Sequence, residues 1–178
     1  MPVVRGQSSN IKLDPDRRRD LLDQFRNELH GEATPHGPVI FEIPLELPDS
    51  LDVLVVWHAW EGLRSEDRTG LIIEGYGDRR GEIAQALGVT YQEAMEQQLI
   101  PYAVVPMTRL DETNSDAAVE AMLEQGAIAL PDGSVELRFP TWLMAEAAHC
   151  QLVSDMPRGC WSIIQTTTTT TSAPPNER

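Results

Sequence analysis

Residues 39–58 constrain the fold more tightly than any other stretch of the chain. Val39, Phe41, Ile43, Leu45 and Leu47 alternate with Glu42, Pro44 and Glu46, the two-residue period of a strand with one buried face. After the turn signal Pro48-Asp49-Ser50, residues 51–58 are apolar at nearly every position past Asp52, as in a strand covered on both sides. The two segments read as a hairpin. Pro44 cannot donate to a ladder, which assigns the first strand to a sheet edge.

Helical signals surround this hairpin. Asp14 as N-cap, Pro15 at the first helical position and Gly31 as the stop bound a helix carrying Leu22, Phe25 and Leu29 on one stripe. Arg17, Arg18 and Arg19 on that helix are matched by neighbouring carboxylates and read as a salt-paired, solvated face. A second helix is expected after Ser65, with Glu66 and Asp67 at its positive end and Leu71, Ile72, Ile73 and Tyr76 as its buried side. Residues 78–99 read as two short helices broken at Gly88, the second opened by the capping box Thr90 to Glu93. A short strand over 102–106, a helix over 115–125 and a hairpin about Pro131-Asp132-Gly133 come next. A helix over 142–152 and a strand over 160–164 complete the series. The pattern predicts a single α+β domain over residues 14–165, with a mixed or antiparallel sheet, hairpins and packed helices. Residues 1–13 are expected to be flexible, and residues 166–178, opening on a threonine run, to form a disordered tail.

Composition narrows the function classes. The 178 residues include 14 Lys and Arg against 28 Asp and Glu, a formal charge of −14 that repels phosphate backbones and anionic membranes. Nucleic acid is therefore an unfavourable partner. No apolar run approaches the ~20 residues of a membrane helix. Two cysteines, Cys150 and Cys160, cannot build a disulfide framework, so the expected compartment is the cytoplasm. His149 and Cys150 diverge on their helix and make a poor metal pair, and buried, inert thiols are the expected state. Phosphate loops, nucleophile elbows and dinucleotide fingerprints are all absent, so no cofactor or metal is expected.

Chemistry-bearing residues concentrate at Trp57-His58-Ala59-Trp60-Glu61-Gly62, where a buried strand runs into a loop. One reading makes this corner catalytic: His58 as general base, Glu61 orienting it and Arg68 stabilising a developing anion. The plainer reading is a core histidine flanked by packing tryptophans, with an ordinary ion pair between Glu61 and Arg68. Residues 54–62 followed by Arg68 also resemble the strand, aromatic-Glu-Gly turn and Arg-starting helix of the BolA-like family, over roughly residues 52–76. That family places a histidine directly after the arginine, where it serves iron-sulfur ligation with a glutaredoxin partner. Here the position is Thr69, so the resemblance implies local strand-to-helix geometry and not cluster binding.

Residues 79–99 are similar in spacing to a helix-turn-helix, with Arg79 and Arg80 upstream. The would-be recognition helix, however, offers Glu93 and Glu96 and no Lys or Arg to a duplex. By elimination, the leading expectation is a non-enzymatic protein-interaction or regulatory domain. Trp57 and Trp60 are its candidate interface, and the partner is a protein of basic character, because residues 109–138 carry two arginines against seven carboxylates. The alternatives are a small enzyme built on His58, Glu61 and Arg68, and a DNA-binding regulator acting through residues 79–99.

Overall fold

A computed structural model describes residues 13–32, 36–106, 119–120, 122–123, 126–130, 134–155 and 161–166. The expected N-terminal segment through residue 12, the turn at 131–133, Cys160 and the threonine-rich tail from residue 167 lie outside the described residues, as do 115–118, 121 and 124–125 of the helix expected over 115–125. The fold is α+β. The chain divides into two compact units, Met1–Thr90 and Tyr91–Arg178. The body expected over 14–165 thus carries one mixed three-stranded sheet and one antiparallel four-stranded sheet.

The first unit opens with α1 (Pro15–Leu29), where the Asp14 carboxylate accepts from the Arg17 amide at 3.1 Å. Leu21, Leu22 and Phe25 form its buried stripe. β1 (Val39–Pro44) and β2 (Leu51–Val56) pair antiparallel, with Phe41 opposite Leu54. The first strand ends at Pro44 and not at residue 47: the Leu45 amide still donates to Ser50 O at 2.9 Å, and residues 46–49 then make the turn, with Asp49 at a φ of 53°. Leu47, expected to face the core, is consequently 69% exposed at the turn.

Val53, Leu54, Val55 and Val56 are all buried, so β2 has apolar cover on both faces. β1 satisfies one edge of that strand, and the backbone groups on its other edge also need partners away from water. They find them in β3 (Ile83–Val89), parallel to β2, with Leu54 opposite Leu87 and Val56 opposite Val89. This overturns the first of the two helices expected over residues 78–99, and with it the helix-turn-helix spacing of residues 79–99, whereas the second helix forms over Tyr91–Glu96. Ile83-Ala84-Gln85-Ala86-Leu87 is a good helix former locally, but ladder pairing with a buried strand outweighs propensity differences of under about 1 kcal/mol per residue. α2 (Ser65–Gly75), followed by a 3₁₀ turn over Gly77–Glu82, makes the crossover between β2 and β3. Ser65 is its first residue and not its cap. Arg64 holds the cap position, with no side-chain cap bond, and donates to the Asp67 carboxylate from Nε at 2.9 Å and Nη2 at 3.1 Å.

α1 and α2 pack in one core with Val53, Val55, Trp57, Trp60 and Leu63. Gly75 permits this approach: the Phe25 ring of α1 fills the space a Cβ would need. Arg18 pairs with Glu74 and Arg19 with Asp16, as expected for a salt-paired face.

The second unit contains α3 (Tyr91–Glu96), β4 (Tyr102–Pro106), β5 (Ile128–Ala129), β6 (Val135–Phe139), α4 (Trp142–Asp155) and β7 (Trp161–Gln165). Its strand order is β5-β6-β4-β7. Val104, Val135, Leu137 and Trp161 form a core with Ala145 and Leu152 of α4 and with Met122. Thr166, expected in the loose tail, is bound instead: its amide and its hydroxyl both donate to Pro101 O, at 2.9 and 3.1 Å. No helix among the described residues is long and apolar enough to cross a membrane.

Candidate functional site

The strand-to-helix corner of the first unit gathers the residues singled out by sequence. Past Val56 the chain leaves the ladder and turns through a 3₁₀ segment, His58–Trp60, before α2 begins. Trp57 and Trp60, 2% and 0% exposed, meet edge to face with ring centroids 5.0 Å apart. The Trp57 indole donates to His36 O at 3.1 Å and that of Trp60 to Val55 O at 3.3 Å. Burial removes both indoles from the solvent-facing surface, so neither supplies the exposed anchor expected of them. Their apolar area and satisfied N–H groups make them the floor of the loop.

His58 and Glu61 are exposed, whereas Arg68 is 7% exposed. The Arg68 guanidinium donates inward, from Nε to Leu63 O at 3.0 Å and from Nη1 to Gly88 O at 3.2 Å. It thereby ties the loop before α2 to β3. The Glu61 carbonyl accepts from Arg17 at 3.2 Å, so the loop is held from α1 as well. The His58 imidazole lies edge to face with the His36 ring, their centroids 6.3 Å apart. The fold therefore brings His58 beside His36 and turns the Arg68 donors onto backbone carbonyls. At the position where the BolA-like motif has histidine, the Thr69 hydroxyl donates to Ala86 O at 3.2 Å and links α2 to β3.

Sequence reasoning missed a polar network in the second unit. Glu136 and Arg138, two apart on β6 and hence on one face, form a bidentate pair at 2.7 and 2.9 Å with side chains 5% and 7% exposed. The Tyr91 hydroxyl donates to Glu136 at 2.9 Å, and Arg138 donates to the Thr166 hydroxyl. Burial first, and then the hydrogen bond to Glu136, push the Tyr91 phenol well above its usual range. The network joins α3 to β6 and to the end of β7. The available signal was the Glu-x-Arg spacing on a hairpin strand.

Two surface features stand out. A groove of about 440 Å³ lies at the β1–β2 turn, lined by residues 44–51 with Glu42 and Glu82. Arg79 neutralises part of it by pairing with Glu42 and Glu82, at 3.3 and 3.0 Å. The other feature is the outer side of α4. Thr141 caps this helix, its hydroxyl accepting from the Met144 amide at 3.3 Å, and Ala145 and Leu152 seat it on the core. Opposite that seat lie Leu143, Ala147 and Cys150, all exposed, with Val153 and Trp142 along one flank. Leu143 is 74% exposed, Trp142 48% and Val153 42%. The Trp142 ring is braced edge to face against Tyr102, 5.9 Å away. Glu146, Gln151, Ser154 and Asp155 are exposed on the same helix, so its solvent side mixes polar groups with an exposed leucine, tryptophan and valine, and large apolar side chains clustered in this way mark an interaction surface.

Among the described residues no group of three or more His, Cys, Asp or Glu is placed to hold a metal ion. No family model, curated protein or solved structure matches the chain.

Proposed function

We propose that this chain is a non-enzymatic, cytoplasmic protein-interaction module that contacts its partner through the outer face of α4. The observation that carries the reading is the exposure of Leu143, Trp142 and Val153 on a helix whose opposite side is already seated in a core. Protein contacts draw their energy from a few apolar and aromatic anchors, and a braced, half-exposed tryptophan is such an anchor. The corner at His58 supports the same reading from the other side. An anion-stabilising role would need the Arg68 donors turned toward a ligand, and they are engaged with Leu63 O and Gly88 O. Cys150, expected to be buried, is exposed and free, which suits a reducing compartment.

The test is recovery of binding proteins from an extract of the cells that make the chain, with wild type and the Leu143→Asp/Val153→Asp variant as parallel baits. A specific protein retained by wild type and lost by the variant supports the reading. Identical recovery by the two baits rejects α4 as the contact.

A further inference from the structure

We infer that the outer face of α4 receives an amphipathic helix of a partner protein whose apolar stripe is flanked by Lys or Arg. The inference rests on the interaction reading above and names the chemistry of the partner. Leu143, Ala147 and Cys150 follow one another at spacings of four and three, so their side chains line one strip of the helix surface. Leu143 is large and 74% exposed, and the side chains of Ala147 and Cys150 are small, so the strip descends from a ridge into a shallow seat. That relief fits the ridge of a second helix.

Charge decides between occupants. Residues 142–155 carry Glu146 and Asp155 and neither Lys nor Arg, and Glu146, exposed, lies beside the strip. A second copy of this chain would bring two molecules of charge −14 together and set carboxylates of like sign along the same contact. A helix with basic flanks is instead attracted at long range, and its cations can meet Glu146 beside the strip as its apolar stripe covers Leu143 and Ala147.

The experiment uses the full chain and two synthetic helical peptides with identical leucine stripes, one flanked by lysine and the other by glutamate. Fluorescence anisotropy at low and high salt measures binding, and sedimentation velocity of the chain alone measures self-association. The expected result is that the lysine peptide binds, that salt weakens it, that Leu143→Glu lowers its affinity about tenfold or more, and that Glu146→Lys lowers it further toward the level of the glutamate peptide. Ala147→Glu serves as a second surface variant, should Leu143→Glu alter the circular-dichroism melt. Preference for the glutamate peptide, or a dimer abolished by Leu143→Glu, overturns this inference and leaves α4 as an interaction surface. Equal binding of the lysine peptide by wild type and both glutamate variants overturns it too. Absence of any association at α4 overturns the interaction reading as well.

Discussion

At the scale of single residues, the corner that looked chemical turns out to be a joint. Arg68 combines a buried guanidinium with two backbone carbonyls that have left water, and a charged hydrogen bond of this kind contributes about 1.5 to 3 kcal/mol. Lysine has a single nitrogen and cannot reach Leu63 O and Gly88 O from two directions. Arg68→Lys is therefore expected to lower stability by about 2 kcal/mol, read as a shift in the urea midpoint; an unchanged midpoint would mean the joint is not under load. Gly88 belongs to the same joint. A Cβ there would lie 2.8 Å from Arg68 Cβ and 3.3 Å from both Trp60 Nε1 and Ile72 Cδ1. The presence of Trp57, His58, Trp60, Glu61 and Arg68 near one loop was evident from their spacing. The direction taken by Trp57 and Arg68 was not, because it depends on carbonyls distant in sequence, His36 O for the indole and Gly88 O of β3 for the guanidinium.

At the scale of elements, the second unit depends on a buried charged pair, Glu136 with Arg138, whose members counted in the sequence only toward the net charge of residues 109–138. Removing one partner leaves the other buried and uncompensated, so Glu136→Gln is expected to cost about 3 to 5 kcal/mol, while replacing Glu136 and Arg138 together by leucine recovers most of it. Urea unfolding of the single and double variants measures the difference. The same network sets an alkaline limit. The folded Tyr91 phenol keeps its proton past the ordinary value of 10.0, so above that pH the unfolded chain binds fewer protons than the folded one. Stability present at and below about pH 10 falls as the pH climbs toward the folded value. Tyr91→Phe should flatten this fall, with the remaining slope assigned in part to Tyr76, whose phenol is also raised, by burial and then by its bond to Glu42. Parallel slopes for wild type and Tyr91→Phe would argue against it. Helix ends, the β1–β2 hairpin and α4 were all readable from local signals. Residues 83–89 were not, because their helix-forming composition is overruled by a strand lying beyond a whole intervening helix.

At the scale of the whole molecule, charge is the dominant property. An excess of acidic residues amounting to −14 makes the folded chain repel itself, and counterions screen that repulsion beyond about 8 Å at physiological ionic strength. Moderate sodium chloride is thus expected to raise the urea midpoint. A falling midpoint would show that surface pairs such as Arg19 with Asp16 and Arg64 with Asp67 outweigh the net repulsion. Composition and hydrophobic period were enough to set the α+β class, the acidic surface and the places where most helices and strands begin, because those follow from interactions within a few residues. The parallel third strand, the burial of Trp57 and Trp60, the inward turn of Arg68 and the Glu136–Arg138 network arose from folding as a whole. Each depends on groups far apart in the chain competing for the same buried space and the same hydrogen-bond partners.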